Sequence, residues 1–372
     1  LGAAGAGVAG LVMASGAHAG AAQTVRCGFV GVGSRGSALL RAALRVEGVE
    51  VVAVCDIDAT NLGRALEAVE KARGNKPAGV EDWNKLLARD DLTAVVSALP
   101  CDLHYPMYRD TLAAGKHLYG EKPMCLTAAH ADALVKQSEE CGKVFQVGFQ
   151  RRFGERLRKS VELFREGVIG EPFEGRGVRF GSGGPYRRPG EWFSFRERSG
   201  DWMLEQAVHN FDAFTWALGE LPQSAFGTGR QDLFKDWDPK RDVSDYYTAI
   251  LRYKNGLTLT WTHTWAAPPH PEFAHSHEQL VGPKGGIDLG KGLVAFRKGA
   301  APASGPTRQV DGGERRQDTT LLALQGFFDC VRTGKPPVVG AKEGRDATLF
   351  GLLVRQAVYE QRVVTMDEVR KG

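Results

Sequence analysis

Four residues of one predicted helix could carry out proton transfer. Glu205, His209, Asp212 and Trp216 stand at positions i, i+4, i+7 and i+11 of a helix predicted over 201–218, so they share one face. Histidine is the side chain most often used as a general base, and a carboxylate one turn away could orient its ring and raise its pKa. A lone helical histidine is more often structural or merely exposed. A solvated helix face would usually carry Lys and Glu, however, and this face carries His and Trp, which favours a face that lines a cleft. The opposite face is apolar and is predicted to pack on a sheet: Met203, Ala207, Phe211, Phe214 and Leu218.

A second candidate, Lys122, lies in the tripeptide Glu121-Lys122-Pro123, directly after a short strand predicted over 117–119. The carboxyl ends of parallel strands line the ligand crevice of an α/β sheet. A lysine there could donate a hydrogen bond to a substrate hydroxyl or carbonyl oxygen. An ordinary surface lysine in a turn is the alternative.

The element that would hold a cofactor beside these groups is a glycine-rich turn. Gly31, Gly33 and Gly36 have the G-x-G-x-x-G spacing between a predicted strand over 25–30 and a predicted helix from residue 34. Such glycines allow a tight turn, close approach of a pyrophosphate and close packing of helix on strand, and the helix N-terminus attracts phosphate. Asp56 ends the next apolar run about twenty residues later, where the ribose-binding acid of such folds belongs. These features predict a dinucleotide site, against the alternative of a chance glycine turn.

Length and strand rhythm predict two domains in an α/β protein of 372 residues. Up to about residue 150, buried strands alternate with helices, which predicts a Rossmann-type, doubly wound parallel sheet. Beyond it, turn dipeptides separate the strands, which predicts antiparallel neighbours in a second, α+β domain. The predicted segments are a signal-peptide remnant over 1–22, a dinucleotide-binding domain over 23–150, a substrate and oligomerisation domain over 151–340, and a C-terminal helix and tail over 341–372 that pack back near the first domain.

Charge and hydropathy exclude two classes of partner. The net charge of +4 is spread without a long basic run, so nucleic acid is not expected as a partner. No stretch has the roughly twenty strongly apolar residues of a membrane span. The six cysteines include no C-x-x-C pair, and we expect buried, reduced thiols.

The first 22 residues are almost all Gly, Ala, Val and Leu, and they contain Ala17-His18-Ala19, an A-x-A pattern. This composition is typical of the apolar region and cleavage site of a secretory signal. Its low hydrophobicity is typical of twin-arginine export, which carries proteins that have already folded in a reducing cytoplasm. We therefore expect a periplasmic or secreted protein. A flexible Gly/Ala tail on a cytoplasmic protein is the alternative.

Basic and aromatic residues early in the second domain form a candidate substrate site. Arg151, Arg152, Tyr186 and Trp192 suit a carbohydrate, including one that bears a carboxylate, although a basic surface loop would have the same composition. Four histidines of the second domain lie close together in the sequence: His263, His270, His275 and His277. We predict no metal site there, because no carboxylate or cysteine completes a known ligand spacing.

Four motifs in this order resemble the Gfo/Idh/MocA family: Gly-Val-Gly-Ser-Arg-Gly at 31–36, Leu99-Pro100 followed by His104, Gly-Glu-Lys-Pro at 120–123, and His209-Asn210-Phe211-Asp212. The resemblance extends from about residue 24 to the last helix. It implies a Rossmann domain and a second domain with a large, open, mainly antiparallel sheet that often serves in oligomerisation. It also implies oxidation or reduction of sugars, inositols or related polyols with NAD or NADP.

The resemblance also assigns roles to individual residues. It implies Lys122 and His209 as the catalytic lysine and acid–base histidine, and it places Glu205 where most members have Asp. Asp212 joins the substrate-binding candidates. The cofactor-binding candidates are Gly31, Gly33, Ser34, Arg35, Gly36, Asp56, Pro100, His104, Glu121 and Lys122.

Together these observations predict an NAD(P)-dependent oxidoreductase that acts on a sugar, polyol or glycoside hydroxyl by hydride transfer. Asp56 favours NAD, since a carboxylate repels a 2′-phosphate. In an exported enzyme the cofactor would be tightly bound and recycled, and we expect a homodimer or tetramer. Two alternatives stay open: an NAD-dependent glycoside hydrolase that works by transient oxidation and elimination, and a non-catalytic dinucleotide-binding sensor.

Overall fold

The computed structural model describes residues 24–184, 188–312 and 317–371. The first part of the chain forms a sheet of six parallel strands in the order β3-β2-β1-β4-β5-β6, with helices on both faces. The elements are β1 (Val25–Val30), α1 (Ser34–Ala43), β2 (Val49–Cys55), α2 (Ala59–Arg73), β3 (Ala78–Val80), α3 (Trp83–Leu87), β4 (Ala94–Ser97), α4 (His104–Ala113), β5 (His117–Gly120), α5 (Ala128–Cys141) and β6 (Phe145–Val147).

This strand order confirms the predicted Rossmann fold. The central strands are continuous apolar runs because helices cover both faces of the sheet; Phe29, Val54 and Val95 are fully buried. The order reverses between β1 and β4, which opens a crevice at their carboxyl ends. Helix boundaries follow capping residues: the Asp58 and Thr127 side chains accept hydrogen bonds from the first turns of α2 and α5.

The rest of the chain builds a nine-stranded sheet in the order β14-β13-β12-β11-β7-β10-β9-β8-β15. Among the described pairs of this second sheet, only β7–β10 is parallel, so the predicted open, mainly antiparallel sheet is confirmed. The elements are α6 (Glu155–Arg165), β7 (Glu174–Phe180), α7 (Arg196–Ser199), α8 (Asp201–Glu205), α9 (Val208–Leu218), β8 (Ser224–Arg230), β9 (Tyr246–Arg252), β10 (Thr258–Thr264), β11 (Ser276–Gly282), β12 (Gly285–Asp288), β13 (Leu293–Phe296), β14 (Thr307–Gln309), α10 (Thr319–Thr333), α11 (Ala341–Glu360), β15 (Val364–Thr365) and α12 (Met366–Lys371).

One face of this sheet packs on α9 and α11. Phe211 of α9 stacks on Phe350 of α11 at 4.4 Å between ring centroids, and Phe211 also contacts Trp261 of β10 edge-on within the same buried cluster. Gly177 of β7 lies under the Trp261 ring, where a Cβ would come within 2.5 Å of it. The predicted apolar face of the 201–218 segment is therefore confirmed as core.

The segment 201–218 is two helices, not the single helix predicted. The N–H of Ala207 donates to the Trp202 carbonyl, five residues back, and the N–H of His209 donates to the Gln206 carbonyl, three residues back. These bonds replace the regular four-residue bond from His209 to the Glu205 carbonyl, which is left free. The apolar spacing continues across the break, so the sequence pattern does not reveal it.

Helix α10 lies on the Rossmann domain, although it falls within the predicted substrate domain of 151–340. Phe327 and Phe328 belong to the same buried cluster as Phe29 of β1, and α10 packs on α1. The following helix, α11, contacts both α5 of the first domain and β8 of the second. The chain therefore returns to the first domain before residue 340. None of the described helices is long and apolar enough to cross a bilayer.

Candidate functional site

A cleft of about 830 Å³ opens at the carboxyl ends of the parallel strands, between the two sheets. Its floor is the glycine turn at 31–36 and the end of β2, and its far wall is formed by α8, α9 and the segment before them. This is where the reversal of strand order predicts a ligand. The candidate residues that line it are Gly31, Gly33, Ser34, Arg35, Asp56, Pro100, Glu121, Lys122, Trp192, Glu205 and His209.

The three glycines of the turn meet different constraints. Gly31 has a φ of +78°, and a Cβ there would lie 2.5 Å from the Ala98 carbonyl oxygen. A Cβ on Gly36 would lie 1.9 Å from the Gly31 carbonyl oxygen, so α1 approaches the turn too closely for any other residue. Gly33, which caps α1, has open space, since a Cβ there would come no closer than 3.7 Å to the Asn61 amide nitrogen. That space lies at a helix N-terminus, where a phosphate would be held.

Asp56 follows β2 at the cleft, and both of its carboxylate oxygens accept backbone hydrogen bonds. Val32 N donates to Oδ2 at 2.7 Å and Asp58 N donates to Oδ1 at 2.8 Å. The carboxylate is therefore fixed beside the glycine turn. Arg35 and Glu121 bind each other at 2.7 Å across the cleft wall, which ties α1 to the end of β5.

Lys122 and Glu205 form a buried ion pair at the centre of the cleft. Lys122 Nζ lies 3.0 Å from Glu205 Oε1 and also donates to the Glu205 backbone carbonyl, which the helix break leaves free. Burial acts to lower the pKa of Lys122, but the Glu205 carboxylate, aided by Cys101 and Glu121, more than offsets this and raises it. Lys122 is therefore a charged hydrogen-bond donor held in one position. The Lys122–Pro123 peptide is cis.

His209 faces the cleft without the carboxylate partner predicted for it. Its Nδ1 has no hydrogen-bond partner among the described residues, and Phe149 contacts the ring edge-on. Burial, and then the positive charges of Lys122, Arg151 and others, lower its pKa well below the ordinary value. The expectation that Glu205 orients the ring and raises this pKa is wrong, because the helix break turns the Glu205 carboxylate to Lys122. His209 is a neutral imidazole, which can accept a proton.

Two residues that the sequence analysis did not single out complete this wall. The Gln206 amide, with both ends satisfied, donates to Glu205 Oε2 at 3.0 Å and accepts from the Arg179 guanidinium. Gln150 lines the cleft with a buried amide oxygen that has no partner among the described residues. Gln150 follows β6, and the rule that ligands bind beyond strand ends could have named it.

The predicted substrate-binding arginines are neutralised by carboxylates. Arg151 binds Glu278 through two hydrogen bonds of 2.6 Å and also donates to the His209 carbonyl at 3.3 Å. Arg152 binds Asp212 in a pair that is 6% and 2% exposed, outside the residues that line the cleft. Burial raises the pKa of Asp212, and Arg152 opposes that shift. These pairs fix α9 to the second domain.

The remaining candidates are placed as follows. Trp192 lines the cleft and stacks on Phe193 at 3.8 Å, whereas Tyr186 lies outside the described residues. His104 is buried behind the cleft, where its ring nitrogens contact the carbonyls of Pro123 and Leu99 at 2.6 and 2.9 Å. It supports the Lys122 turn from behind.

The histidines of the second domain form no metal cluster in the described part of the chain. His263 is buried and its Nδ1 lies 3.1 Å from the Tyr247 hydroxyl, while His275 stacks on His277 at 5.8 Å. All six cysteines are free, and Cys27, Cys55, Cys101 and Cys125 are buried.

Two family models match the sequence. GFO_IDH_MocA, described as an oxidoreductase family with an NAD-binding Rossmann fold, matches residues 25–149. The GFO/IDH/MocA C-terminal domain matches residues 157–288. Both halves of the cleft thus lie in matched segments.

Similar proteins act on cyclitols and glycosides. The chain is 25% identical to a myo-inositol 2-dehydrogenase of Thermotoga maritima, over 93% of this chain and 99% of that protein. It is 32% identical to an alpha-N-acetylgalactosaminidase of Shewanella oneidensis over 157 residues, which span 41% of this chain and 34% of that protein. A scyllo-inositol dehydrogenase of Lactobacillus casei, solved with NAD(H) and scyllo-inositol, has the same fold: the TM-score is 0.73 at 20% identity, over 93% of this chain and 100% of that chain.

Proposed function

The chain belongs to the Gfo/Idh/MocA family of oxidoreductases, whose N-terminal Rossmann fold binds NAD, and we propose that it acts on a sugar or polyol. The reaction is oxidation of a hydroxyl, or reduction of the matching carbonyl, by hydride transfer. One observation carries this proposal: the neutral His209 and the charged Lys122 line the same cleft as the glycine turn. An acid–base group and a cation beside a nicotinamide site are what alcohol oxidation requires.

The residues of the turn fit a dinucleotide. Gly33 leaves open space at the N-terminus of α1, and Asp56 presents a fixed carboxylate at the end of β2. We assign pyrophosphate binding to Gly31, Gly33 and Ser34, and ribose binding to Asp56. When bound, NAD supplies the acceptor or donor of the hydride.

The chain's own residues handle the proton and the charge. His209, unprotonated at neutral pH, takes the proton of the substrate hydroxyl, a role that contributes typically 10²–10⁴-fold in rate. Lys122 donates a hydrogen bond to the same oxygen and stabilises its developing negative charge. Glu205 holds Lys122 through its carboxylate and its carbonyl, so the ammonium group is in place before the substrate arrives.

A direct test combines cofactor identification with a substrate screen. Mass spectrometry of the ligand released from gently purified protein identifies the dinucleotide. Sugars and inositols are then screened by the absorbance of reduced nicotinamide, with His209→Ala as the matched control. Turnover that survives unchanged in His209→Ala would contradict the catalytic assignment and favour the dinucleotide-binding sensor.

A second candidate function is glycoside cleavage through transient oxidation, elimination and re-reduction. The similarity to an alpha-N-acetylgalactosaminidase over 157 residues favours it. In that reaction the nicotinamide ends each cycle in its starting state, so a tightly bound cofactor suffices. Release of free sugar from aryl glycosides, with no lasting change in nicotinamide absorbance, would establish this function in place of simple dehydrogenation.

We also propose that the chain forms homo-oligomers through the outer face of the nine-stranded sheet. Phe226 and Ile250 are cross-strand neighbours on β8 and β9 and are 43% and 48% exposed. Adjacent exposed apolar side chains suit an interface. Light scattering of wild type and Ile250→Glu tests this, and a wild-type monomer would contradict it.

Export is a proposal supported by composition alone, because residues 1–22 lie outside the described part of the chain. Fractionation of cells that express the natural full-length protein tests it. A product found entirely in the cytoplasm would contradict periplasmic or secreted location.

A further inference from the structure

The cationic side chains in and around the cleft are almost all paired with carboxylates. Each pair brings an Arg or Lys nitrogen within 3.1 Å of a carboxylate oxygen. The pairs are Arg35–Glu121, Lys122–Glu205, Arg151–Glu278, Arg152–Asp212 and Arg198–Asp102. Their charges cancel, so none of them is free to bind a full negative charge without losing its partner.

Arg179 differs from these five, because it forms no ion pair with any carboxylate in the described segments. It lies on β7 on the face shared with Gly175 and Gly177, which is the face that packs on α9. Its guanidinium donates to the Gln206 amide oxygen and lies 5.8 Å from the Trp265 ring centroid, and its Nε is buried without an acceptor among the described residues.

Arg179 is half-buried and its Nε is enclosed, so its positive charge is costly without a counter-ion. Burial lowers the pKa of Arg179, and the nearby charge of Arg151 lowers it further, while Glu205 and Glu278 act in the opposite direction. Both of those carboxylates are already bound, to Lys122 and Arg151 respectively. The wall around His209 therefore keeps one positive charge that the described residues do not neutralise, and a ligand with a negative charge would relieve the cost.

The position of Arg179 indicates which ligand supplies that charge. The phosphates of a dinucleotide belong at the N-terminus of α1, on the other side of the cleft. Arg179 belongs to the second domain and donates to Gln206, which stands three residues before His209. The Gln206 side chain stands between Arg179 and the cleft, and it lines the cleft itself. The counter-ion therefore belongs to the molecule that reacts at His209.

We propose that the substrate is a sugar acid whose carboxylate binds Arg179, with Gln206 turning aside to admit it. This inference rests on the proposed function and narrows its substrate class. A planar guanidinium offers two parallel donors to a carboxylate, which neutral sugars and inositols cannot use. Recognition at this position sets which compounds react, while His209 still takes the proton.

The test compares matched acid and neutral substrates on the NAD-loaded enzyme. D-Glucuronate is paired with D-glucose and D-galacturonate with D-galactose, and reduction of nicotinamide is followed in both single-turnover and steady-state experiments. We expect kcat/KM for the preferred acid to exceed that of its neutral partner about a hundredfold, because a polar site rejects an analogue that leaves its groups unpaired. A neutral sugar that matches or exceeds its acid overturns the inference while the proposed function stands. If none of these or the screened inositols reacts, the proposed function fails as well.

Variants of Arg179 separate recognition from folding. Arg179→Met should lower the ratio of kcat/KM for the acid to kcat/KM for the neutral sugar about a hundredfold. Arg179→Lys keeps the positive charge but lacks the two parallel donors of a guanidinium. Its ratio of acid to neutral kcat/KM should lie between those of wild type and Arg179→Met. Arg176→Met is the matched control: Arg176 is on the same strand, faces outward and pairs with Glu174. If Arg179→Met does not fold, Arg179→Lys decides, since an unchanged ratio of acid to neutral turnover in that variant overturns the inference.

Discussion

Replacing Glu205 by Gln tests the electrostatic design of the site most directly. The two charges of the Lys122–Glu205 pair lie 3.0 Å apart with side chains 12% and 10% exposed, and an effective dielectric constant of about 20 gives about 5.5 kcal/mol of attraction. The Gln amide oxygen and the residue's backbone carbonyl still accept hydrogen bonds from Nζ. We therefore expect the free energy of unfolding to fall by about 3 kcal/mol. This is the lower end of the range observed when one partner of a buried ion pair is removed.

The same substitution should change the pH dependence of activity. In wild type the Glu205 carboxylate raises the pKa of Lys122. The ion pair therefore stabilises the fold fully below the ordinary lysine pKa, and this stabilisation is lost only as pH rises through the raised pKa. Without that carboxylate, burial lowers the pKa of Lys122. The alkaline limb of kcat/KM should then move to lower pH, and activity at neutral pH should fall about 10- to 100-fold.

The assay is the pH profile of kcat/KM with the best substrate of the screen, together with urea unfolding at neutral pH. Asp245→Asn is the matched control, because it breaks a buried ion pair outside the cleft. In that pair the Arg241 guanidinium lies 2.6 Å from the Asp245 carboxylate. That variant should lose comparable stability and keep the wild-type alkaline limb. If Glu205→Gln also keeps the wild-type limb while it loses stability, the assignment of Glu205 as the group that holds Lys122 is refuted.

Five further predictions address the proton acceptor and the cofactor site. His209→Asn should lower kcat about 10³-fold and leave the Kd for NAD within about threefold of wild type, measured by fluorescence titration; a weakened Kd would move His209 to a structural role. Because burial lowers the pKa of His209, the acid limb of kcat/KM should lie below pH 6.5. Any stability that the neutral imidazole contributes should be lost only as pH falls through the lowered pKa of His209. Asp56→Ala should shift the ratio of kcat/KM for NAD to that for NADP about tenfold or more toward NADP, and an unchanged ratio would remove Asp56 from ribose recognition. Gly33→Ala should fold normally and bind NAD about tenfold more weakly, because its methyl group would occupy the space for the pyrophosphate. Gly36→Ala should instead lower the melting temperature, since its Cβ would lie 1.9 Å from a carbonyl oxygen.

Local patterns predicted the Rossmann sheet well, because its strands and its glycine turn can each be recognised from a few consecutive residues. Buried strands read as apolar runs, and the turn at 31–36 requires glycines for reasons of contact distance. Five strands escaped prediction, β3 and β8 among them. β3 (Ala78–Val80) is only three residues long, and β8 (Ser224–Arg230) contains two glycines and alternates buried with exposed positions. Neither has the apolar run that identifies a central strand.

Side-chain partners within the site could not be predicted in the same way. Arg151 and Glu278 are 127 positions apart, and Arg152 and Asp212 are 60 apart, so their pairing depends on the tertiary fold and not on local sequence. The composition near residue 151 correctly indicated cationic groups. It could not show that each arginine there is already paired with a carboxylate.

The break between α8 and α9 links these observations. A continuous helix would commit the Glu205 carbonyl to a bond with the His209 N–H and hold Glu205 one turn below His209. At the break, the His209 N–H donates to the Gln206 carbonyl instead, and the freed carbonyl of Glu205 accepts from Lys122. The local irregularity therefore separates the two functions that the helical spacing had joined: Glu205 serves the cation, and His209 is left as an uncharged base. Since apolar spacing is preserved across the break, only the backbone hydrogen bonds reveal this division of roles.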